Sequence, residues 1–184
     1  LLADARAQTF FESFFREGLG YATLRAPNTK PSGWTDSLLA DMQRETDAAL
    51  ATHAFGTGSV LDALTSNQTT VSAPLAALYG FAAPAADGTL SIPPSHARAR
   101  AGILGHASLL SLKSDGDMVA LRGNWLRRTF FCRTLTIPPD VADELGDLLV
   151  GLTRVEVVQK RNREAACKGC HARIDPIGVG LAAF

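Results

Sequence analysis

Cys167, Cys170 and His171 stand together in the pentapeptide Cys167-Lys168-Gly169-Cys170-His171. Two thiols separated by two residues, with an imidazole directly after, have the residue types and spacing of c-type haem attachment. In that chemistry the thiols add across the two vinyl groups of the porphyrin, and the short spacer sets them at the separation of those groups. The histidine is then held beneath the iron as its proximal ligand. Paired cysteines two apart also suit tetrahedral zinc, which needs four ligands. Beyond the motif only Cys132 and scattered histidines remain to complete such a site, so the set for a structural zinc module is Cys132, Cys167, Cys170 and His171. Haem is the better match to the motif, and zinc stays open beside it.

The residues after the motif bear on the same chemistry. Pro176 is expected to end any helix and turn the chain just past the haem. Its carbonyl, or a neighbour's, is expected to accept the Nδ1 proton of His171 and fix the tautomer for iron ligation. Gly178 and Gly180 allow backbone to approach a porphyrin closely, so Pro176 and Gly178 join the cofactor-binding set; an ordinary loop is the competing account. For the sixth iron position the first candidate is Met118, at a turn-to-helix junction. His106 is the second. A thioether there raises the potential and histidine holds it lower. An open position makes the module an enzyme or sensor instead of an electron carrier.

The stretch Cys167 to Phe184, CKGCHARIDPIGVGLAAF, resembles the C-terminal pattern of secreted cytochrome-type proteins of planctomycetes and myxobacteria that carry tandem domains of unknown function 1592 and 1588. Arg100-Ala101-Gly102-Ile103-Leu104, Leu121-Arg122-Gly123-Asn124-Trp125, Pro138-Pro139-Asp140-Val141 and Leu75-Ala76-Ala77-Leu78-Tyr79-Gly80 are similar to further stretches of that family, in the same order. The resemblance runs from about Arg6 to Phe184. It implies a longer exported protein, with other domains of that chain or a separate redox protein as partner, and it implies no particular catalytic activity.

Composition narrows the classes. The chain has 184 residues, enough for one good core or a helical unit with a smaller second one. Its 18 basic and 18 acidic residues cancel without long runs of either sign, which argues against nucleic acid or an anionic membrane surface as partner. The apolar stretches are too short for a membrane span, and Leu1 to Arg6 reads as the start of an amphipathic helix. Haem c is attached outside the cytoplasm, so the motif points to a periplasmic, extracellular or cell-surface location. Cys132 is left single, and burial as a small apolar group is expected for it.

The elements that must position the motif read as helices. Ala3, Ala7, Phe10, Phe11, Phe14 and Phe15 recur at helical spacing, with core packing expected for the aromatic stripe and Gly18 as the cap. A second helix is expected over residues 36–52, and short helices over 59–65 and 72–79, the latter capped by Ser72 and ended by Gly80. Residues 81–95, rich in Ala, Gly and Pro, read as an irregular crossing loop. Further helices are expected near 96–112 and over 118–133, where Arg122, Arg127, Arg128 and Arg133 flank an apolar stripe. A solvated face is the expected reading for these arginines, with pairing to haem propionates as the other. Thr153-x-x-Glu156 forms a capping box opening a basic helix toward Cys167. The sum is a mainly α chain: a helical bundle-like region over 1–80 and a small helical region over 81–184 that carries a single haem c. Its expected function is one-electron transfer.

Overall fold

The computed structural model describes residues 4–28, 30, 32–56, 58–93, 102–113, 118–135 and 151–182. It is mainly α. The chain divides into two compact units, Leu1–Asp115 and Gly116–Ala183. Residues 81–93 and 102–113 fall in the first unit, so the break in packing comes later along the chain than the break in composition at residue 81.

In the first unit, α1 spans Ala5–Leu19, opened by Asp4, whose carboxylate accepts from the Arg6 amide, and closed by Gly20 at φ 88°. The cap is therefore Gly20 and not Gly18, because Gly20 is the residue that must enter the left-handed region where a Cβ is strained. Helix α2 spans Leu38–Phe55, and α3 spans Ala73–Leu78, with Ser72 accepting from the Leu75 amide as expected. Phe11 of α1 meets Phe55 of α2 with ring centroids 5.1 Å apart. Phe10 and Phe14 are 73 % and 59 % exposed and Phe11 and Phe15 half-buried, so the aromatic stripe is not core as expected. The four rings occupy two adjacent helical rows, and only the row of Phe11 and Phe15 turns toward α2.

A two-stranded antiparallel ladder pairs β1, Gln68–Thr70, with β2, Thr89–Ser91, in the register Thr69 to Leu90. The stretch read as an irregular crossing loop thus contains a strand. Three residues are too few to show alternation, and their pairing comes from a partner some twenty residues away. Leu38, Met42, Val71, Leu75, Ala76, Tyr79 and Ala107 form the core, flanked by Leu24, Trp34, Leu78, Phe81 and Leu90. The helix expected near 96–112 lies outside the described residues up to 101. From Ile103 onward it consists of a 3-10 turn, the short α4 (Ala107–Leu110) and a second 3-10 turn.

Helix α2 also buries charge. Asp41, Glu45 and Asp47 are all at most 7 % exposed, and each is paired. Asp47 takes the Arg16 guanidinium and accepts from the Tyr21 hydroxyl at 2.9 Å. Burial, then the Asp47 charge, pushes the Tyr21 phenol far above its ordinary pKa. Asp41 accepts from Arg44 and from the Ser72 hydroxyl.

The second unit is built on α5 (Met118–Phe130), α6 (Arg154–Arg163) and α7 (Ala165–Gly180). The capping box at the start of α6 forms as expected. The Thr153 side chain and amide both donate to Glu156 and hold its carboxyl below the usual range. Residues 136–150, including Pro138 and Pro139, lie outside the described residues. Helices α5 and α7 run antiparallel and touch backbone to backbone. A Cβ on Gly123 would come within 2.1 Å of the Ile174 carbonyl, and one on Gly178 within 1.8 Å of the Val119 carbonyl. Both positions therefore exclude any side chain.

Candidate functional site

Helix α7 contains the whole Cys167–His171 motif. At one turn's spacing, Cys167, Cys170 and His171 lie on one face of the helix, at i, i+3 and i+4. Cys167 is buried, Cys170 half-buried, and the His171 side chain 16 % exposed. Two thiols and an imidazole on one helical face match the donor set of a covalently held haem.

The helix does not stop at Pro176. It continues to Gly180 with Pro176 inside it, contrary to the turn expected there. Proline removes the amide that would bond the carbonyl of Ala172. Ala172 and Pro176 are both exposed, which leaves that carbonyl open to water, while Ile174 and Gly178 on the other side are clamped against α5.

This continuation brings Asp175 one turn below His171. The His171 Nδ1 lies 2.9 Å from Asp175 Oδ1, and the carboxylate is buried to 1 % exposure. Its second oxygen accepts from Asn162 Nδ2 at 3.4 Å, and the same amide donates to the Val158 carbonyl at 2.9 Å. Asn162 reaches it because only Glu164, in extended backbone, separates α6 from α7. The acceptor for His171 is therefore a carboxylate and not a main-chain carbonyl. From the sequence alone Asp175 is hidden, because Pro176 reads as a helix stop. The i, i+4 spacing of His171 and Asp175 was the signal that could have found it.

The other expected site residues are placed as follows. Gly178 makes its close approach to the α5 backbone, and Pro176 lies on the exposed side of α7. Met118 begins α5, next to Val119 and hence at the Gly178 end of the helix pair. That is two turns from His171, roughly 10 Å along the axis at 1.5 Å per residue. Its sulfur lies 3.7 Å from the Arg122 guanidinium. Arg122 is not solvated: it is 5 % exposed and donates to the Leu181 carbonyl at 2.8 Å, closing the C-terminal end of α7. Arg128 and Arg133 are exposed as expected, and Arg127 is half-buried one turn beyond Gly123. Cys132 is exposed, with φ 50°, and not buried. It follows the end of α5, outside the packed face. Among the described residues no three His, Cys, Asp or Glu side chains are gathered as a metal site, so Cys132, Cys167, Cys170 and His171 do not form the zinc set.

His106, in the first unit, has its own constellation. Its Nδ1 lies 3.0 Å from the Thr46 hydroxyl, which is 2.6 Å from that of Ser108, and its Nε2 is 3.8 Å from Glu45. Glu45 also accepts from the Thr69 and Tyr79 hydroxyls. A hydroxyl, an imidazole and a carboxylate in series is the order of a nucleophilic triad. Thr46 and Ser108 are 0 % exposed, however, so no substrate reaches them. The group is a satisfied polar core.

The model of the family described as PSD4, protein of unknown function (DUF1592), matches residues 1–81. That of PSCyt3, protein of unknown function (DUF1588), matches residues 100–184. No curated protein and no solved structure matches the chain. No described helix is long and apolar enough to cross a membrane.

Proposed function

The chain belongs to the proteins that carry the PSD4 and PSCyt3 domains in tandem, and on that premise we propose that it is a c-type cytochrome module passing single electrons within a larger exported protein. One haem c is held through Cys167 and Cys170, with His171 as the proximal iron ligand. The observation that carries this reading is the shared face of α7, where both thiols stand beside an imidazole whose Nδ1 is already engaged by Asp175. That leaves Nε2 as the nitrogen free to bind iron. The name PSCyt3 points toward cytochromes. The haem supplies the redox change, while the chain fixes the ligand, excludes water and tunes the potential. Partners are other domains of the same longer chain or a separate redox protein, and haem c attachment implies a periplasmic or cell-surface location.

The test is covalent attachment. Acid-acetone extraction of the protein from a haem-attaching host should leave the pigment on the polypeptide. Cys170→Ser should lose most of it and Cys132→Ser should keep it. A colourless protein with one equivalent of zinc overturns the reading.

A second reading, a haem enzyme or sensor with an open sixth position, is favoured by one observation. His106, a candidate for that position, is buried with its Nδ1 on the Thr46 hydroxyl and its Nε2 facing Glu45. Ready binding of carbon monoxide by the reduced protein, with no sulfur–iron band to lose in Met118→Ala, selects this reading over the electron carrier.

A further inference from the structure

The partner of the proximal histidine in the second unit is a buried acid, and this has a consequence for the iron that rests on the haem reading above. Asp175 is 1 % exposed, lies 2.9 Å from His171 Nδ1 and shares its other oxygen with Asn162. An ionised carboxylate can only accept, so a neutral imidazole bonded to it carries its proton on Nδ1 and presents its lone pair at Nε2. A charge-assisted bond of this kind is stronger than one to a neutral carbonyl and makes the imidazole a more basic donor. A more basic, more anionic ligand stabilises the higher charge of ferric iron over ferrous iron. Burial strengthens the effect, because the carboxylate is not screened by water.

We propose that Asp175 is the positioning residue of this site: it fixes the tautomer of His171 and holds the haem at a low reduction potential. Asn162 orients the carboxylate from α6. With a haem bound there, the effect would be on the equilibrium between its ferric and ferrous forms.

Two measurements test this. In the holoprotein, Asp175→Asn keeps the shape of the side chain and removes its charge. Haem content should stay at the wild-type level, while spectroelectrochemical titration shows the reduced form favoured at least tenfold more, a rise of about 59 mV for a one-electron couple. Full haem loading with an unchanged potential overturns the tuning role and leaves Asp175 as packing. The second measurement needs neither haem nor the variant. Nitrogen-15 NMR of the full chain, made in a host that does not attach haem, should find His171 in the Nδ1–H tautomer. A predominant Nε2–H tautomer overturns the positioning role. If the wild type carries no covalent haem yet shows the Nδ1–H tautomer, the cytochrome reading falls and the positioning of His171 by Asp175 stands.

Discussion

Each unit buries a carboxylate beside an imidazole, yet the two pairs are built to different ends. In the first, Glu45 and His106 are 1 % and 3 % exposed and are tied to hydroxyls from α2, β1, α4 and Tyr79 just past α3. Both ring nitrogens of His106 face partners. In the second, the His171 ring is partly open, Nδ1 alone is engaged among the described residues, and two thiols share its helical face. The comparison teaches that a buried acid–imidazole pair marks a site only when one nitrogen is left presented. Otherwise it is a polar core that fixes one packing of the elements around it.

The contrast can be broken by removing each acid in turn. Glu45→Ala removes the carboxylate that accepts from the Thr69 and Tyr79 hydroxyls and faces the His106 ring. It should cost about 3 kcal/mol, read as a lowered urea midpoint. A loss below ~1 kcal/mol would mean that the network is not what holds the first unit together.

Gly178→Ala sharpens the comparison from the other side, because the second unit is held by close backbone packing where the first uses polar pairs. A methyl aimed at the Val119 carbonyl must push α5 and α7 apart, at about 2 kcal/mol or more. The expected result is a lowered urea midpoint, and disturbed environments for Val119 and Ile174 by NMR. An unaffected protein would show that the helices do not meet as described.

The smallest effect concerns Tyr21. Its phenol is held protonated above the ordinary range by burial and by Asp47, so folding favours the neutral form. The stability linked to that proton is fully present below the unfolded tyrosine pKa of about 10 and is lost as pH rises above it. Wild type should therefore lose stability more steeply than Tyr21→Phe above about pH 10. Parallel curves would remove Tyr21 from the pairs that hold the first unit.

Much of this was legible from local pattern. The helical class, the Thr153–Glu156 box, the Ser72 cap and the chemistry-bearing motif all depend on residues within a turn or two of one another. What escaped the sequence was of two kinds. Some features require a partner far along the chain: the β1–β2 ladder, the burial of Asp41, Glu45 and Asp47 in a helix whose charges look like a wet face, and the buried Arg122. Others turned on one residue with two meanings. Pro176 reads as a helix stop and is instead carried through, which hid Asp175. Gly178 reads as room for a cofactor and is room for a neighbouring helix. The phenylalanines of α1 show the same limit, since periodicity reports a face but not its width.

The His171–Asp175 bond spans four residues of one helix, whereas the bonds of the Glu45 and His106 network span 24 to 62. Contacts of short span need no loop to be closed and form on the timescale of the helix itself; long-span contacts wait for the whole unit to assemble. The first unit's imidazole is thus oriented last, by the finished fold. The second unit's is oriented as soon as one stretch of helix exists, before tertiary packing has buried Cys167 on that same stretch.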